Sequence, residues 1–486
     1  MGPTGGASGA PLQARWWSTL DDEQLNHLIE EAMDRNRSLA VAEQRLREAR
    51  ALVGVAEARL LPRIGSGGQY RRIRLSENLP ILDEFIDRGR TDRGQQLFAG
   101  SFDASWEIDV FGGTRRAVEA ARAKADAVVE DVRGIRISLL AEVARNYFEL
   151  RGEQARARAL QDLIRLEERA LKLANDAQEA GLGTAAGVGR REARVSEAAA
   201  RLPGVQAAAA ASMIRLAVLT DRPVDDLWES LRVPQPLPTV PDAVPVGLPG
   251  DLLRRRPDVR AAERRLRRAT AEVGVAVADL YPKFYLTGNA GLAAGSFGSL
   301  FDTGSVAWSI GPSIRWPLLR GGQIRANIDA AEARLEAAGH RYHRSVREAI
   351  GDAEAALTRY GRAYQSRERL LEAVAARRRE VDLAERAFAN GLEPRFEVNS
   401  TRRRLVSARL ARTRADIEVL TTLASLHKAL GGGWRASPTN PDRRRDPAAP
   451  FEPAASAVSS DPSPAPARIT RNRGTAGSTA AARAAE

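Results

Sequence analysis

The stretch Ala42-Glu43-Gln44-Arg45-Leu46-Arg47 returns as Ala262-Glu263-Arg264-Arg265-Leu266-Arg267, and Val53-Gly54-Val55-Ala56 returns as Val273-Gly274-Val275-Ala276. Leu60 and Pro62 match Leu280 and Pro282 at the same offset, so about two-thirds of the positions from Ala42 to Pro62 are identical in the second copy. A self-similarity of that length reads as duplication of one unit. Working outward, Phe111-Gly112-Gly113-Thr114-Arg115-Arg116-Ala117 parallels Arg320-Gly321-Gly322-Gln323-Ile324-Arg325-Ala326, and Ala180-Gly181-Leu182 parallels Asn390-Gly391-Leu392. Each unit reads helix, strand, loop, strand, long helix, tight Gly turn, helix.

The units occupy residues 16–235 and 251–434, separated by a Pro-rich linker at 236–250. A Gly-rich stretch, 1–15, reads as a flexible leader. From 435 to 486, Pro, Ala, Ser and Arg dominate without apolar period, which reads as a disordered tail.

Strands are expected at about 62–75, 97–110, 283–293 and 304–318. Between Phe98 and Val110 the even positions Phe98, Gly100, Phe102, Ala104, Trp106 and Ile108 are apolar or small, while Ser101, Asp103, Ser105, Glu107 and Asp109 are polar. That is period 2 with one apolar and one polar face. In the second unit Val306, Trp308, Ile310, Ile314, Trp316 and Leu318 alternate with Ser305, Ser309, Ser313 and Arg315, and Phe284, Leu286, Ala290 and Leu292 with Lys283, Thr287 and Asn289. The stretch Ile64 to Arg74 is Gly- and Arg-rich and alternates more weakly. These lengths suit an outer-membrane strand, and Trp or Phe lies near several ends as in interfacial girdles. Four strands cannot close a barrel, and an open edge in lipid leaves backbone groups unsatisfied. Several chains must contribute, and a trimer supplies about 12 strands.

Helical hairpins are expected at about 114–220 and 323–430. Residues 114–180 and 323–390 contain no Pro, and at about 1.5 Å per residue each spans roughly 100 Å if helical throughout. Alanine is frequent on their packing faces, as at Ala117, Ala120, Ala121 and Ala125 or Ala330, Ala331, Ala337 and Ala338, and it permits close helix approach. The fold class expected is an α+β membrane protein: long coiled-coil hairpins plus four transmembrane β-strands per chain.

Composition narrows the functions. The chain of 486 residues carries 74 Lys+Arg against 62 Asp+Glu, a formal charge of +12, with 43% hydrophobic residues, 5% aromatic residues and no cysteine. Disulfides, thiolate nucleophiles and Cys-type metal sites are excluded. The positive charge is Arg interleaved with Glu and Asp along helices, the pattern of solvated faces and not of a nucleic-acid tract. No run of about 18 apolar residues suitable for a membrane-spanning helix is expected. His340 and His343 lack a third ligand nearby, no nucleotide loop or nucleophile elbow is present, and neither metal, cofactor nor catalysis is expected. Two other readings stand beside the membrane duct: a soluble coiled-coil scaffold and a periplasmic adaptor with an α-hairpin. Neither accounts for duplicated amphipathic strands.

The chain resembles the TolC/OprM-like outer-membrane efflux proteins, in particular the NodT-type branch. The resemblance is carried by Trp16-Trp17-Ser18-Thr19-Leu20-Asp21, by Trp106-Glu107-Ile108-Asp109-Val110-Phe111-Gly112, by Leu248-Pro249-Gly250-Asp251-Leu252-Leu253-Arg254-Arg255-Arg256-Pro257-Asp258, and by Leu430-Gly431-Gly432-Gly433-Trp434. It implies a homotrimer with a barrel of about 12 strands in outer-membrane lipid and an α-helical periplasmic tunnel. It also implies docking with a periplasmic adaptor and, through it, an inner-membrane resistance-nodulation-division transporter that drives small-molecule export. Gly181, Leu182, Gly183 and Thr184, with Gly391 and Leu392, would form the docking tips. Relatives place acidic rings just beyond the turn. Here Ala185-Ala186-Gly187-Val188-Gly189 has no carboxylate, so Glu393 and Glu397 with Arg395, near Asn399, are the expected charge contacts of the aperture. Many relatives begin with a signal peptide and a lipid-carrying Cys, and the absence of both leads us to expect a start placed downstream of the true one.

Overall fold

The computed structural model describes residues 7–8, 14–74, 94–241, 244–245 and 254–433. Most of the expected leader, parts of the linker, Leu248 to Leu253, Trp434 and the tail lie outside the described residues.

Ala7–Ser8 pairs in parallel with Val244–Pro245, and a 3-10 turn, Trp16–Leu20, leads into α1 (Glu23–Arg35) and α2 (Arg37–Glu57). Asn36 makes the corner between the helices. Its side chain accepts from the Leu39 amide at 3.1 Å, capping α2, and donates to the Leu219 carbonyl at 2.9 Å, so one buried amide also ties the corner to the far end of its repeat. Strands β1 (Arg63–Arg74) and β2 (Gly94–Ile108) follow, then α3 (Gly113–Glu179), α4 (Ala185–Ala200), α5 (Leu202–Thr220) and α6 (Val224–Leu231). The second unit repeats this order with α7 (Pro257–Ala278), β3 (Lys283–Ala294), β4 (Val306–Arg315), α8 (Gln323–Ala389) and α9 (Arg395–Ala429). Helices α3 and α8 each have 67 residues, about 100 Å at 1.5 Å per residue.

Three details depart from the sequence expectation. The return arm of the first hairpin is broken between α4 and α5 at Arg201, because Pro203 sits in the first turn of α5 and cannot donate to a helix running through it. Val110, Trp316 and Leu318 lie beyond the strand ends, where the chain tightens: Val110 N–H donates to the Ile108 carbonyl at 2.8 Å and Leu318 N–H to the Trp316 carbonyl at 3.0 Å. The helical stretch Ala185–Thr220 does contain an 18-residue window apolar enough to cross a membrane by composition, contrary to expectation. It is no single rod, since it contains the Arg201 break, and Met213, Leu216 and Ala217 are buried in the main core.

That core lies where α1, α3, α5, α6 and the end of α9 meet. Tyr147 and Phe148 are fully buried among Leu25, Ile29, Leu216, Leu227, Leu420 and Leu423. Arg151, also fully buried, donates to the carbonyls of Leu231 and Val233 at 3.1 and 2.9 Å and lies 5.3 Å from the Tyr147 ring centre, while the Tyr147 hydroxyl donates to Asp22. The guanidinium thus fastens the end of α6 to α3. Along α8, Ala349, Ala353, Ala356, Tyr360 and Ala363 are buried at alternating spacings of four and three, the seam of a coiled coil in which alanine sets a close approach.

His427, in the last turn of α9, stacks on Trp16 with ring centres 4.6 Å apart and planes within 8°. Burial pushes its pKa from 6.5 down to about 3. Between those values the unfolded chain binds a proton that the folded one refuses. This contribution to stability is therefore complete above pH 6.5 and is lost as pH falls toward 3, by up to about 1.4 kcal/mol per pH unit. Thermal midpoints between pH 7.5 and 4.5 should fall for the native protein and fall less for His427→Phe, which keeps the stack without the titration; equal slopes refute the assignment.

Candidate functional site

The four strands form one antiparallel sheet in the order β1-β2-β3-β4. Residues directly opposite in such a sheet share a face, so register decides what each face carries. Ile64 pairs with Ala104, Ala104 with Gly288, and Gly288 with Ile310; Phe102 pairs with Ala290, and Ala290 with Trp308. Phe98, Phe102, Trp106, Phe284, Leu286, Leu292, Val306, Trp308, Ile310 and Ile314 therefore fall on one face. Nothing among the described residues covers much of it: Ile64 is 76% exposed, Trp308 74%, Ile310 69% and Phe102 66%. The other face carries Arg63, Gln69, Arg71, Ser101, Asp103, Ser105, Glu107, Lys283, Thr287, Asn289, Ser309, Ser313 and Arg315.

Aromatics bracket the apolar face. At the end remote from the helices Tyr70 lies 4.7 Å from Phe98 and Phe98 5.8 Å from Phe297, ring centre to centre. At the helical end Phe111 stacks on Tyr281 at 4.6 Å, and two tryptophans tie strand ends to the preceding helices: Trp106 Nε1 donates to the Leu60 carbonyl at 2.9 Å and Trp316 Nε1 to the Leu280 carbonyl at 3.1 Å. These two bonds occupy equivalent places in the two repeats. From Phe98 to Trp106 is about 27 Å at roughly 3.4 Å per residue, matching the apolar band of about 25 Å between aromatic girdles in an outer-membrane barrel.

The opposite end of the hairpins carries the two tips. Gly181 has φ +75° and Gly391 φ +73°, the left-handed conformation that ends a helix at low cost with glycine. The same bonds follow at both: Leu182 N–H donates to Ala177 at 2.8 Å and Leu392 N–H to Ala387 at 2.9 Å. Thr184 then caps α4 by accepting from the Gly187 amide at 3.1 Å, and Pro394 precedes α9. Leu182 and Leu392 stand out from the tips, 86% and 78% exposed. Gly183 is held close, since a Cβ there would lie 2.8 Å from the Gln178 backbone nitrogen.

Charges near the second tip are arranged differently from the pairing expected. Arg395 does not pair with Glu393 or Glu397; at the first turn of α9 it reaches back to the Phe388 ring, 5.9 Å from its centre. Glu397 pairs instead with Arg404, two turns along the same helix, at 3.0 Å. Arg404 also binds Glu380 of α8 at 2.7 Å and Ser400 at 2.9 Å. Arg377, then Arg404, holds the Glu380 carboxyl below its usual range. Arg402–Glu385 at 2.7 Å, nearer the tip, and Arg367–Asp416 at 2.8 Å, farther from it, also brace α8 against α9. Sequence reading missed Arg404, Glu380 and Asp416, whose partners lie on an antiparallel arm and are fixed only by the register of the hairpin. Glu393 and Asn399 sit beside this network without joining its ion pairs.

The sequence profile of the outer membrane efflux protein family matches this chain twice, over residues 28–221 and 248–432. The chain belongs to that family. The two matches coincide with the two repeats. Over 444 residues, 90% of this chain and 92% of the relative, it is 31% identical to the pyoverdine export outer membrane protein OpmQ of Pseudomonas putida. It is 30% identical to the toluene efflux pump outer membrane protein TtgI of the same species, over 90% of this chain and 92% of that one. Among solved structures, the outer-membrane channel OprN superposes with a TM-score of 0.80 at 32% identity, covering 89% of this chain and 95% of that one. The open-state MtrE channel of Neisseria gonorrhoeae gives 0.77 at 27% identity, with 89% and 95% covered. This efflux protein is thus an outer-membrane channel, and its small antiparallel sheet carries one broad, exposed apolar face.

A charge in the middle of that face should be costly where one on the other face is not. Ile310→Lys should lower stability in bilayers by about 2–4 kcal/mol, while Ser309→Lys, one residue away and pointing to the polar face, should stay within about 1 kcal/mol of the native protein. Denaturant titration in lipid checks the pair; equal losses would refute the facing assigned here.

Proposed function

We propose that three copies close end to end into a barrel of about 12 strands, and that the helices continue it as a periplasmic tunnel. The observation that carries this reading is a four-stranded sheet with a lipid-type face and two edges, β1 and β4, that lack neighbours among the described residues. Unpaired amides and carbonyls cost several kcal/mol each in hydrocarbon, so the sheet enters a membrane only when another copy's β4 meets β1. The polar face then lines a water-filled lumen. The protein serves as the exit duct of a tripartite pump, moving small molecules passively from periplasm to exterior without chemistry of its own. Relatives named for pyoverdine and for toluene share its scaffold, which fits a duct that leaves cargo choice to its partners.

In the same reading the tips at Gly181, Leu182, Gly183 and Thr184 and at Gly391 and Leu392 meet a periplasmic adaptor, which joins the duct to an inner-membrane resistance-nodulation-division transporter. Exposed leucines on rigid turns supply apolar contacts at fixed positions. Glu393, Arg395, Glu397 and Asn399 border the aperture, with Arg404 and Glu380 holding Glu397 in place.

Native mass measurement of detergent-extracted membranes should give a trimer, and planar-bilayer recordings should give discrete conductance. A monomer in the soluble fraction would overturn the duct. The double variant Glu393→Ala, Glu397→Ala should open more readily than the native channel; identical conductance at every voltage would remove these residues from the aperture.

A further inference from the structure

Register sorts charge as well as apolarity. The polar face of the sheet carries Arg63 and Arg71 on β1, Lys283 on β3 and Arg315 on β4, against Asp103 and Glu107 on β2. Directly across from Asp103 stands Gly65, not a cation, and a Cβ on that glycine would lie 3.1 Å from the carboxylate. At the helical end, strands and helices enclose a cavity of about 310 Å³ whose lining includes Arg59, Arg63, Lys283, Glu107, Asp109 and Asp279. There Lys283 pairs with Asp279 at 2.8 Å, and Asp109 with Arg115 at 3.2 Å. Arg315 lies 5.1 Å from the centre of the Tyr285 ring. Including the cavity lining leaves the balance as it was, since Arg115 offsets Asp109 and Arg59 offsets Asp279. Cations on this face therefore exceed carboxylates by two per chain.

We propose that this face makes the lumen a filter for charge, passing negatively charged small molecules in preference to positive ones. The proposal rests on the trimeric duct reading, in which the polar face lines water and three copies repeat the excess around the axis. Solvated arginines need no bound partner to act in this way, because a low-dielectric wall focuses the field of its fixed charges into the aqueous space it encloses. The field reaches about 10 Å from the wall in 0.1 M salt and about 3 Å in 1 M, so the bias extends into the lumen at low salt and stays at the wall at high salt. A lumen potential of only about half of kT per unit charge raises chloride and lowers potassium, by about threefold between them. Arg63 and Arg315 belong to the two edge strands and Glu107 to a central one, so the excess lies toward the edges where copies would meet.

The test reconstitutes the full chain in planar bilayers under a potassium chloride gradient centred on about 0.1 M. Potassium and chloride have nearly equal mobility in water, so the reversal potential reads the permeability ratio directly. The native channel should favour chloride about threefold, and the ratio should approach one in about 1 M salt. Arg63→Gln with Arg315→Gln removes two cations per chain and should bring the ratio close to one at low salt. Glu107→Gln removes a carboxylate but keeps a polar side chain of the same length, and should raise the ratio. The hairpin tips are the same in all three proteins, so the differences read the sheet face alone. A native ratio at or below one, or a ratio that neither variant moves, would overturn the filter and leave the duct standing. Absence of any discrete conductance would defeat the duct, and the filter with it.

Discussion

The register of four antiparallel strands governs everything else. Side chains alternate along a strand, so a slip of one residue between β2 and β3 would carry Phe102 and Trp106 to the polar face and Asp103 and Glu107 to lipid. The pairing of Phe102 with Ala290 and of Ala290 with Trp308 keeps the apolar set together across three strands. The indole bonds of Trp106 and Trp316 to the carbonyls of Leu60 and Leu280 then fix where the strands stop and the helices begin. A sheet sorted this way is stable in a bilayer only with its edges satisfied, so the single chain is a third of a structure in the trimeric reading.

Below the sheet a different economy operates. Each long helix hangs from a strand end through a glycine turn: Gly112 and Gly322 stand at φ +81° and +80° immediately before α3 and α8. Over 67 residues a helix wall must pack on neighbours at nearly constant distance, and the Ala349, Ala353, Ala356, Ala363 series does this with small side chains where leucine would force the axes apart. The larger apolar residues gather in one place, around Tyr147, Phe148 and Leu423, where the short helices add a further layer. Stability is thus concentrated near the middle of the hairpins, while the tips rest on ion pairs and caps.

Much of this was legible in the residues. Period 2 from Phe98 to Ile108 and from Val306 to Ile314 showed both faces of the sheet, because alternation is a local property. The glycines at 181 and 391 marked the tips for the same reason. What was not legible depends on register between distant segments. Glu397 chooses Arg404 over Arg395 because Arg395, in the first turn, reaches back to Phe388, whereas Arg404 lies beside Glu380 of the opposing arm. The Arg201 break could have been read from Pro203, a plain helix signal.

Duplication makes the two hairpins comparable, and the comparison locates where they have diverged. The turn bonds at Leu182 and Leu392 and the strand-end indole bonds are equivalent in both repeats, so the scaffold has kept its geometry. The charges have not kept pace. Just past the first tip, α4 begins with Ala185-Ala186-Gly187 and continues into Arg190, Arg191 and Arg194, while α9 begins with Arg395 and Glu397 and locks Arg404 between two carboxylates. A positive, under-neutralised arm therefore stands beside one whose charges are largely paired within its own hairpin. The second arm is tied to α8 by the pairs of Arg402 with Glu385 and Arg404 with Glu380, so the two repeats share a backbone plan and differ in how their charges are placed.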